Sequence, residues 1–262
     1  MFSFSSIPQV TKNILILNGL FYLATLVLMS KGIDLISLLG AHYVNSPLFK
    51  PFQIITYFFM HSNTDFFHIL FNMLMLVMFG SHLERIWGPK RFFIFYIASA
   101  IGAFALYNLI GVYEIHALKV SLGSNLDIEV INNIIRESHT DQDLQLRIST
   151  YLSQQADYTH INVPDLIKYI QNSYTPMVGA SGAVFGIMAA FAYLFPNTEL
   201  MLLFPPIPVK AKYLISVYFL YELYKSIYMV QGDNVAHLAH VGGAVTGFIL
   251  VFIWNKNRKT FY

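Results

Sequence analysis

The chain has 262 residues, of which 56% are hydrophobic and only 11% are charged, and its net charge is +2. Soluble domains carry about 25% charged residues, so this composition excludes a soluble domain and a disordered chain, and the small net charge argues against nucleic-acid binding. The absence of cysteine excludes disulfides, thiolate metal sites, iron–sulfur clusters and a cysteine nucleophile.

Six stretches of the chain are apolar enough to cross a bilayer, whose hydrocarbon core needs about 20 residues of helix. They predict an all-α polytopic membrane protein. The first stretch is interpreted as a retained anchor, because it is long for the apolar part of a signal peptide and no small-residue cleavage site follows it. The predicted spans 1 to 6 are residues 13–30, 66–83, 92–113, 177–195, 211–230 and 235–254.

The lysines and arginines predict the orientation of these spans. Nine of them lie on the side of the N-terminus and seven on the other side, and four of those seven fall in one long segment between spans 3 and 4. Because cytoplasmic loops are enriched in Lys and Arg close to the spans, we expect both termini in the cytoplasm. The lack of an additional N-terminal span or a transit-like segment favours a bacterial plasma membrane over an organelle.

Residues 114–175 contain no predicted span and hold eight acidic and four basic residues. Apolar residues recur at helical spacing in 126–136, 144–152 and 163–170, which predicts two or three short amphipathic helices outside the membrane. The favoured interpretation is a solvated extracytoplasmic insertion between spans 3 and 4. The alternative is a cap that handles substrate or lies on the lipid surface.

Polar side chains inside the predicted spans are candidates for function, because they are costly in a bilayer. Span 2 carries His68 and Asn72, and span 6 carries His237 and His240; each pair shares one helix face. Span 4 carries Ser181. A serine nucleophile needs a general base, usually histidine, and donors aimed at the developing oxyanion. Span 4 supplies the serine, span 6 the histidine base and span 2 the oxyanion donors, and no aspartate is needed.

Glycines predict that spans 4 and 6 pack closely. Each span has two glycines four residues apart, a pattern that lets membrane helices approach one another. The pairs are Gly182 with Gly186 and Gly243 with Gly247. Helix packing alone would explain them, but the same packing would bring Ser181 next to His240. The combination therefore favours a serine-hydrolase site.

Two further polar features allow other interpretations. Glu222 is a lone acid in span 5, which could serve a proton or ion path or could face the outer aqueous end together with Lys225. Histidines are also common metal ligands, so a metal transporter or metalloenzyme is an alternative. It would use His61, His68, His237 and His240. The chain has no HExxH motif, and we expect neither a metal nor a cofactor.

Four motifs resemble those of the rhomboid intramembrane serine proteases. Each motif alone is weak, but all four occur in order on the corresponding spans. They are His68-Ile-Leu-Phe-Asn72, the turn from Gly80 to Phe92, Gly179-Ala-Ser181-Gly182, and Ala239-His240-Val-Gly-Gly243-Ala-Val-Thr-Gly247. The resemblance covers most of the chain outside 114–175. It implies one six-helix rhomboid-like membrane domain over residues 1–262, with that segment as an insertion.

The resemblance also implies roles for individual residues. Ser181 matches the nucleophile, and His240 matches the general base, since His240 but not His237 is followed by glycines three and seven residues later. Asn72, His68 and the Ser181 N–H match the oxyanion donors.

Supporting positions follow from the same resemblance. Phe185 lies where an aromatic ring stacks on the base, and Phe71 lies at the lateral substrate entrance between spans 2 and 5. The motif glycines are Gly179, Gly182, Gly243 and Gly247. The implied activity is cleavage of peptide bonds in or beside transmembrane segments of other membrane proteins, with the site open to the extracytoplasmic side. The alternative within this resemblance is a non-catalytic protein that binds transmembrane clients.

Overall fold

The structure is a computed structural model that describes residues 4–123, 126–155, 160–202, 205–228 and 236–256. About three quarters of the structure is helical, and one two-stranded antiparallel hairpin joins two of the helices. The helices are α1 Gln9–Met29, α2 Leu35–Leu39, α3 Gln53–Thr56, α4 Phe66–Met75, α5 Ser81–Trp87, α6 Pro89–Leu122, α7 Ile128–Glu137, α8 Asp141–Ser153, α9 Val163–Tyr174, α10 Ser181–Leu194, α11 Ala211–Ile227 and α12 His237–Lys256. The strands are β1 Glu199–Met201 and β2 Pro208–Lys210.

Four helical segments among the described residues are long and apolar enough to cross a membrane. They are Gln9–Met29, Phe66–Trp87, Pro89–Leu122 and His237–Lys256. The second segment joins α4 to α5 through a π-helical turn at Leu76–Gly80. Two further helices lie at the predicted spans 4 and 5 but are shorter: the apolar helix α10 has 14 residues and α11 has 17. The chain is therefore an all-α polytopic membrane protein.

Several predicted span boundaries differ from the structure by a few residues, among them the start of span 1, predicted at 13 and found at Gln9, and the end of span 2, predicted at 83 and found at Trp87. Two further differences have a clear local cause. Span 3 was expected to end at 113, but α6 continues to Leu122, because Ile115, Leu118 and Leu122 repeat at helical spacing and are buried. Span 4 was expected to begin at 177, but α10 begins at Ser181, because Gly179 adopts a left-handed φ of 123° that a helix cannot contain. Residues 229, 230 and 235 of the predicted spans 5 and 6 lie outside the described residues.

The described chain divides into two compact units. The first contains residues up to 40, 54–107 and from 178 onward, and thus α1, α2, α4, α5 and α10 to α12. The second contains residues 41–53 and 108–177. The predicted insertion at 114–175 falls within this second unit. The unit also includes residues 41–53, which the sequence analysis did not associate with it.

The second unit contains the three short helices that the apolar spacing predicted. Each begins with a side chain that accepts a hydrogen bond from a free N–H group of the first turn, which is a favourable helix start. The capping residues are Asp127, Thr140 and Asn162. Inside the unit, Ile131, Ile135 and Tyr169 are buried, and the Tyr169 hydroxyl donates to Asn132 at 2.6 Å. This polar contact inside the apolar core fixes α9 against α7.

In the first unit, α10 and α12 lie so close that glycine is required at their contact. A Cβ atom on Gly243 would lie 1.9 Å from the carbonyl oxygen of Gly182, and one on Gly247 would lie 2.5 Å from the Cα atom of Gly186. Backbone therefore packs directly against backbone, as expected for small residues four apart in membrane helices. This contact positions the first turns of the two helices.

A buried carboxylate ties α5 to the start of α1. Glu84, which is 3% exposed, accepts hydrogen bonds from the backbone N–H groups of Val10 and Thr11 at 2.8 and 2.7 Å, and from the Thr11 hydroxyl at 2.7 Å. The first N–H groups of a helix have no partner within the helix, and a negative charge there is also favoured by the helix dipole. Glu84 is a buried structural acid of the bundle.

We predict that Gly243→Ala separates α10 from α12. The added methyl group overlaps the Gly182 backbone, so the folded state should lose about 1–3 kcal/mol, the usual range for overpacking, and the melting temperature in detergent should fall. Gly19→Ala on α1 is the matched control, since no atom lies within 4 Å of its added Cβ. Equal melting temperatures for the two variants would contradict the proposed close contact.

Candidate active site

Ser181 is the first residue of α10, and the chain approaches it through an unusual backbone conformation. The positive φ of Gly179 turns the chain just before the helix, and the Gly179 N–H donates to the Tyr57 carbonyl at 3.1 Å. A side chain at 179 would also be blocked, because its Cβ would lie 2.8 Å from His68 Nε2. This turn holds Ser181, which is half-buried, at the N-terminal end of α10.

The structure brings Ser181 and His240 together. Ser181 Oγ and His240 Nε2 are 2.8 Å apart, a hydrogen-bonding distance. His240 lies in the first turn of α12 and is 8% exposed. Its ring stacks on the Phe185 ring, with centroids 4.4 Å apart and planes 12° from parallel. Stacking and hydrogen bonding together leave the imidazole little freedom to rotate.

His68 lies beside Ser181 as well. A Cβ on Gly179 would be 2.8 Å from His68 Nε2 and 3.4 Å from Ser181 Oγ, so both groups border the same small space. The Ser62 N–H points at His68 Nδ1 at 3.4 Å. Because Nδ1 is then the accepting nitrogen, a neutral His68 carries its proton on Nε2, the nitrogen next to the serine. His68 can therefore donate a hydrogen bond at the site.

Asn72 and Phe71 are placed differently from His68. The Asn72 side chain is buried on α4, and its amide donates to the His68 carbonyl at 2.8 Å, which leaves one amide hydrogen for a further acceptor. Phe71 is 47% exposed and stacks on Phe67, with centroids 5.9 Å apart. The structure therefore shows Phe71 as a largely exposed residue of α4.

Glu222 is a residue of the site that the sequence analysis did not place there. It is 2% exposed, so it does not face the aqueous phase, which was one of its two predicted environments. Its Oε2 atom lies 2.7 Å from His240 Nδ1 and 2.6 Å from His237 Nδ1. In the sequence, Glu222 was noticeable only as an acidic residue within a predicted membrane span. Nothing in the spacing showed that its face of α11 meets the histidines of α12.

The described residues contain one group of histidines and acids close enough for a metal ion, namely Glu222, His237 and His240, whose ligand atoms lie within 4.8 Å of one another. Zinc binds such ligands at about 2.0–2.2 Å, so two ligands of one tetrahedral ion lie about 3.3 Å apart. The carboxylate-to-imidazole distances of 2.6 and 2.7 Å are shorter and match charge-assisted hydrogen bonds. His61 does not join this group; it packs edge-on against His68 at 5.2 Å.

Comparison with known proteins adds one finding. A family model described as Rhomboid domain matches residues 49–123 and 160–257, which is more than half of the chain. The match leaves out residues 124–159, which lie in the predicted insertion. No curated protein matches the chain.

We predict that His61 makes the protein less stable in acid. Burial, with a smaller effect of His68, lowers the pKa of His61 from 6.5 to about 3. Between pH 6.5 and about pH 3 the unfolded chain binds a proton at His61 that the folded chain does not. The free energy of unfolding is therefore unaffected by His61 above about pH 6.5 and decreases as the pH drops toward 3. The slope from this residue is at most about 1.4 kcal/mol per pH unit.

Thermal unfolding in detergent from pH 7 to 4 measures this effect. His61→Phe should reduce the loss of melting temperature in acid, whereas His82→Phe, at an exposed position, should retain it. Parallel pH curves for wild type and His61→Phe would show that His61 does not cause the acid sensitivity.

Proposed function

Because the chain belongs to the rhomboid family, we propose that it is an intramembrane serine endopeptidase that cleaves transmembrane segments of membrane proteins. The observation that carries this proposal is the 2.8 Å hydrogen bond between Ser181 Oγ and His240 Nε2. A serine hydroxyl is a weak nucleophile unless a base accepts its proton. Here an imidazole nitrogen lies where that proton must go.

In the first half of the reaction, Ser181 Oγ attacks the carbonyl carbon of the scissile peptide and its proton moves to His240 Nε2. The carbonyl oxygen becomes an oxyanion. When the carbon–nitrogen bond breaks, His240 returns the proton to the leaving amine. The products of this half are a new N-terminus on one fragment and an acyl ester of the other fragment on Ser181.

In the second half, water attacks the ester carbonyl and gives a proton to His240. The ester bond then breaks, Ser181 Oγ takes that proton back, and the second fragment leaves with a carboxyl end. No external co-reactant other than water is consumed. The protein residues return to their starting protonation states.

The oxyanion is stabilised by His68, Asn72 and the Ser181 N–H. His68 Nε2–H borders the same space as Ser181 Oγ, and Asn72 retains one free amide hydrogen. The Ser181 N–H belongs to the first turn of α10 and so has no carbonyl partner within the helix. Removal of one such donor typically costs 10²–10³-fold in kcat.

The length of α10 supports a site below the membrane surface. A helix of 14 residues is about 21 Å long, whereas the hydrocarbon core is about 30 Å thick. With the C-terminal end of α10 at the cytoplasmic boundary, Ser181 lies about 9 Å inside the outer boundary. Water reaches it through a polar cavity lined by protein.

The proposed topology has six spans, formed by the four long helical segments together with α10 and α11. Both termini lie in the cytoplasm, and the insertion at 114–175 lies outside. The nine Lys and Arg residues on the terminal side support this orientation. The site then opens to the extracytoplasmic side, because Ser181 is at the outer end of α10.

Cleavage of a model transmembrane substrate by the purified full-length chain tests the proposal. We expect Ser181→Ala and His240→Ala each to lower kcat by about four to six orders of magnitude, since the pair acts as a unit. His82→Ala, a histidine change on α5 at an exposed position, should leave cleavage unchanged. A fluorophosphonate probe should label wild type at Ser181 and fail to label Ser181→Ala.

Three results would contradict the protease proposal. Cleavage retained by Ser181→Ala would show that another group, or a contaminant, performs the reaction. A wild-type protein that neither cleaves substrates nor reacts with the probe would favour the non-catalytic client-binding alternative. Metal found at one equivalent by elemental analysis would favour the metal-dependent alternative.

A further inference from the structure

We propose that Glu222 is a positioning residue for His240, so that the site works as a Ser181–His240–Glu222 triad and not as a serine–histidine pair alone. The inference rests on the proposed protease function. It concerns how the base is oriented and how its charge is balanced. Glu222 contacts neither Ser181 nor the space where the scissile carbonyl would lie, and acts through the imidazole.

The geometry is a continuous chain of hydrogen bonds across the His240 ring. Glu222 Oε2 is 2.7 Å from Nδ1, and Ser181 Oγ is 2.8 Å from Nε2. An ionised carboxylate only accepts hydrogen bonds, so Nδ1 must carry the proton. The lone pair of the neutral ring is then on Nε2 and faces the serine hydroxyl. Glu222 thereby selects the tautomer that can act as a base.

Charge balance gives Glu222 a second effect. When His240 takes the serine proton it becomes an imidazolium in a buried place, and a buried charge without a partner is strongly disfavoured. Glu222 is 2% exposed and hydrogen-bonded to that ring, so it opposes the new positive charge. This stabilisation exists only after proton transfer begins, so it accelerates the chemical step without tightening substrate binding.

His237 holds the carboxylate in place. Its Nδ1 lies 2.6 Å from the same Oε2 atom that contacts His240. The two histidines are three residues apart on α12 and thus share one face of the helix. A single oxygen of Glu222 is therefore held between two imidazole N–H donors, and both donors come from one rigid helix. This arrangement leaves Glu222 well oriented even though it lies on a different helix, α11.

A purely structural role is the competing explanation, since the same hydrogen bonds join α11 to α12. Such a role predicts a loss of stability that changes kcat only through the folded fraction. A positioning role predicts a lower kcat in protein that remains folded, with KM nearly constant. It also predicts that loss of Glu222 has no effect once His240 is absent, because residues acting as one unit are not additive.

The test compares Glu222→Gln with Glu84→Gln in the full-length chain, in detergent and in vesicles. Both changes neutralise a buried acid with nearly the same volume, but Glu84 binds the start of α1 and lies outside the site. We expect Glu222→Gln to lower kcat about 10²–10⁴-fold with KM within about threefold. Glu84→Gln should lower the melting temperature and leave kcat per folded molecule unchanged.

Four further variants sharpen the result. Glu222→Asp keeps the charge but shortens the side chain, so its kcat should fall between wild type and Glu222→Gln. His237→Asn keeps an N–H donor near the Nδ1 position, so it should retain more activity than His237→Ala. The double variant Glu222→Gln/His240→Ala should be no slower than His240→Ala. A multiplicative loss in the double variant would overturn the proposal.

The controls separate failure of this inference from failure of the protease proposal. If wild type cleaves, Ser181→Ala is inactive and Glu222→Gln keeps wild-type kcat, the triad is wrong and the protease proposal stands. If wild type reacts with the fluorophosphonate but cleaves no available substrate, the labelling rates of wild type and Glu222→Gln are compared in place of kcat. Equal labelling rates would then show that the triad is wrong. Wild type that neither cleaves nor labels contradicts both proposals.

Discussion

The backbone contact between α10 and α12 is the constraint on which the candidate site depends. Ser181 and His240 come from different helices and are 59 residues apart in the chain. Their side chains meet because the carbonyl of Gly182 lies where any side chain on Gly243 would have to be. Membrane helices associate without a hydrophobic driving force, so close packing of small residues must supply much of the attraction. The same glycines therefore stabilise the bundle and set the distance between the two reactive groups.

Hydrogen bonding makes the polar side chains of the site tolerable inside an apolar bundle. Buried polar groups are costly unless they are paired. His240 uses both ring nitrogens, one toward Ser181 and one toward Glu222, and Glu222 is shared with His237. A chain of paired groups has fewer alternative arrangements than isolated ones. The same contacts thus offset the cost of burying these polar groups and fix the orientation of the His240 ring.

The sequence predicted the parts of this site that have local signals. Ser181 and His240 were predicted as candidates because glycines at fixed spacing accompany them, and the membrane helices were predicted from hydrophobicity. Glu222 was noticed but not placed, because the orientation of α11 depends on tertiary packing that no periodicity reports. The start of α10 was predicted four residues too early for a different reason. Glycine permits a positive φ but does not require it, so the sequence alone does not show that Gly179 adopts one and ends the possible helix there.

The position of Glu222 on α11 explains why stability and activity must be measured separately. Among the described residues of α11, three are buried: Ala211, Ile215 and Glu222. Many others, such as Val217 and Leu220, are more than half exposed and suited to contact lipid. A helix with so small a buried face depends on each buried contact, and the carboxylate is its polar one. The contact that we propose to orient His240 as the base is thus also a contact that attaches α11 to α12. Only a change that keeps the shape and removes the charge can distinguish these two contributions.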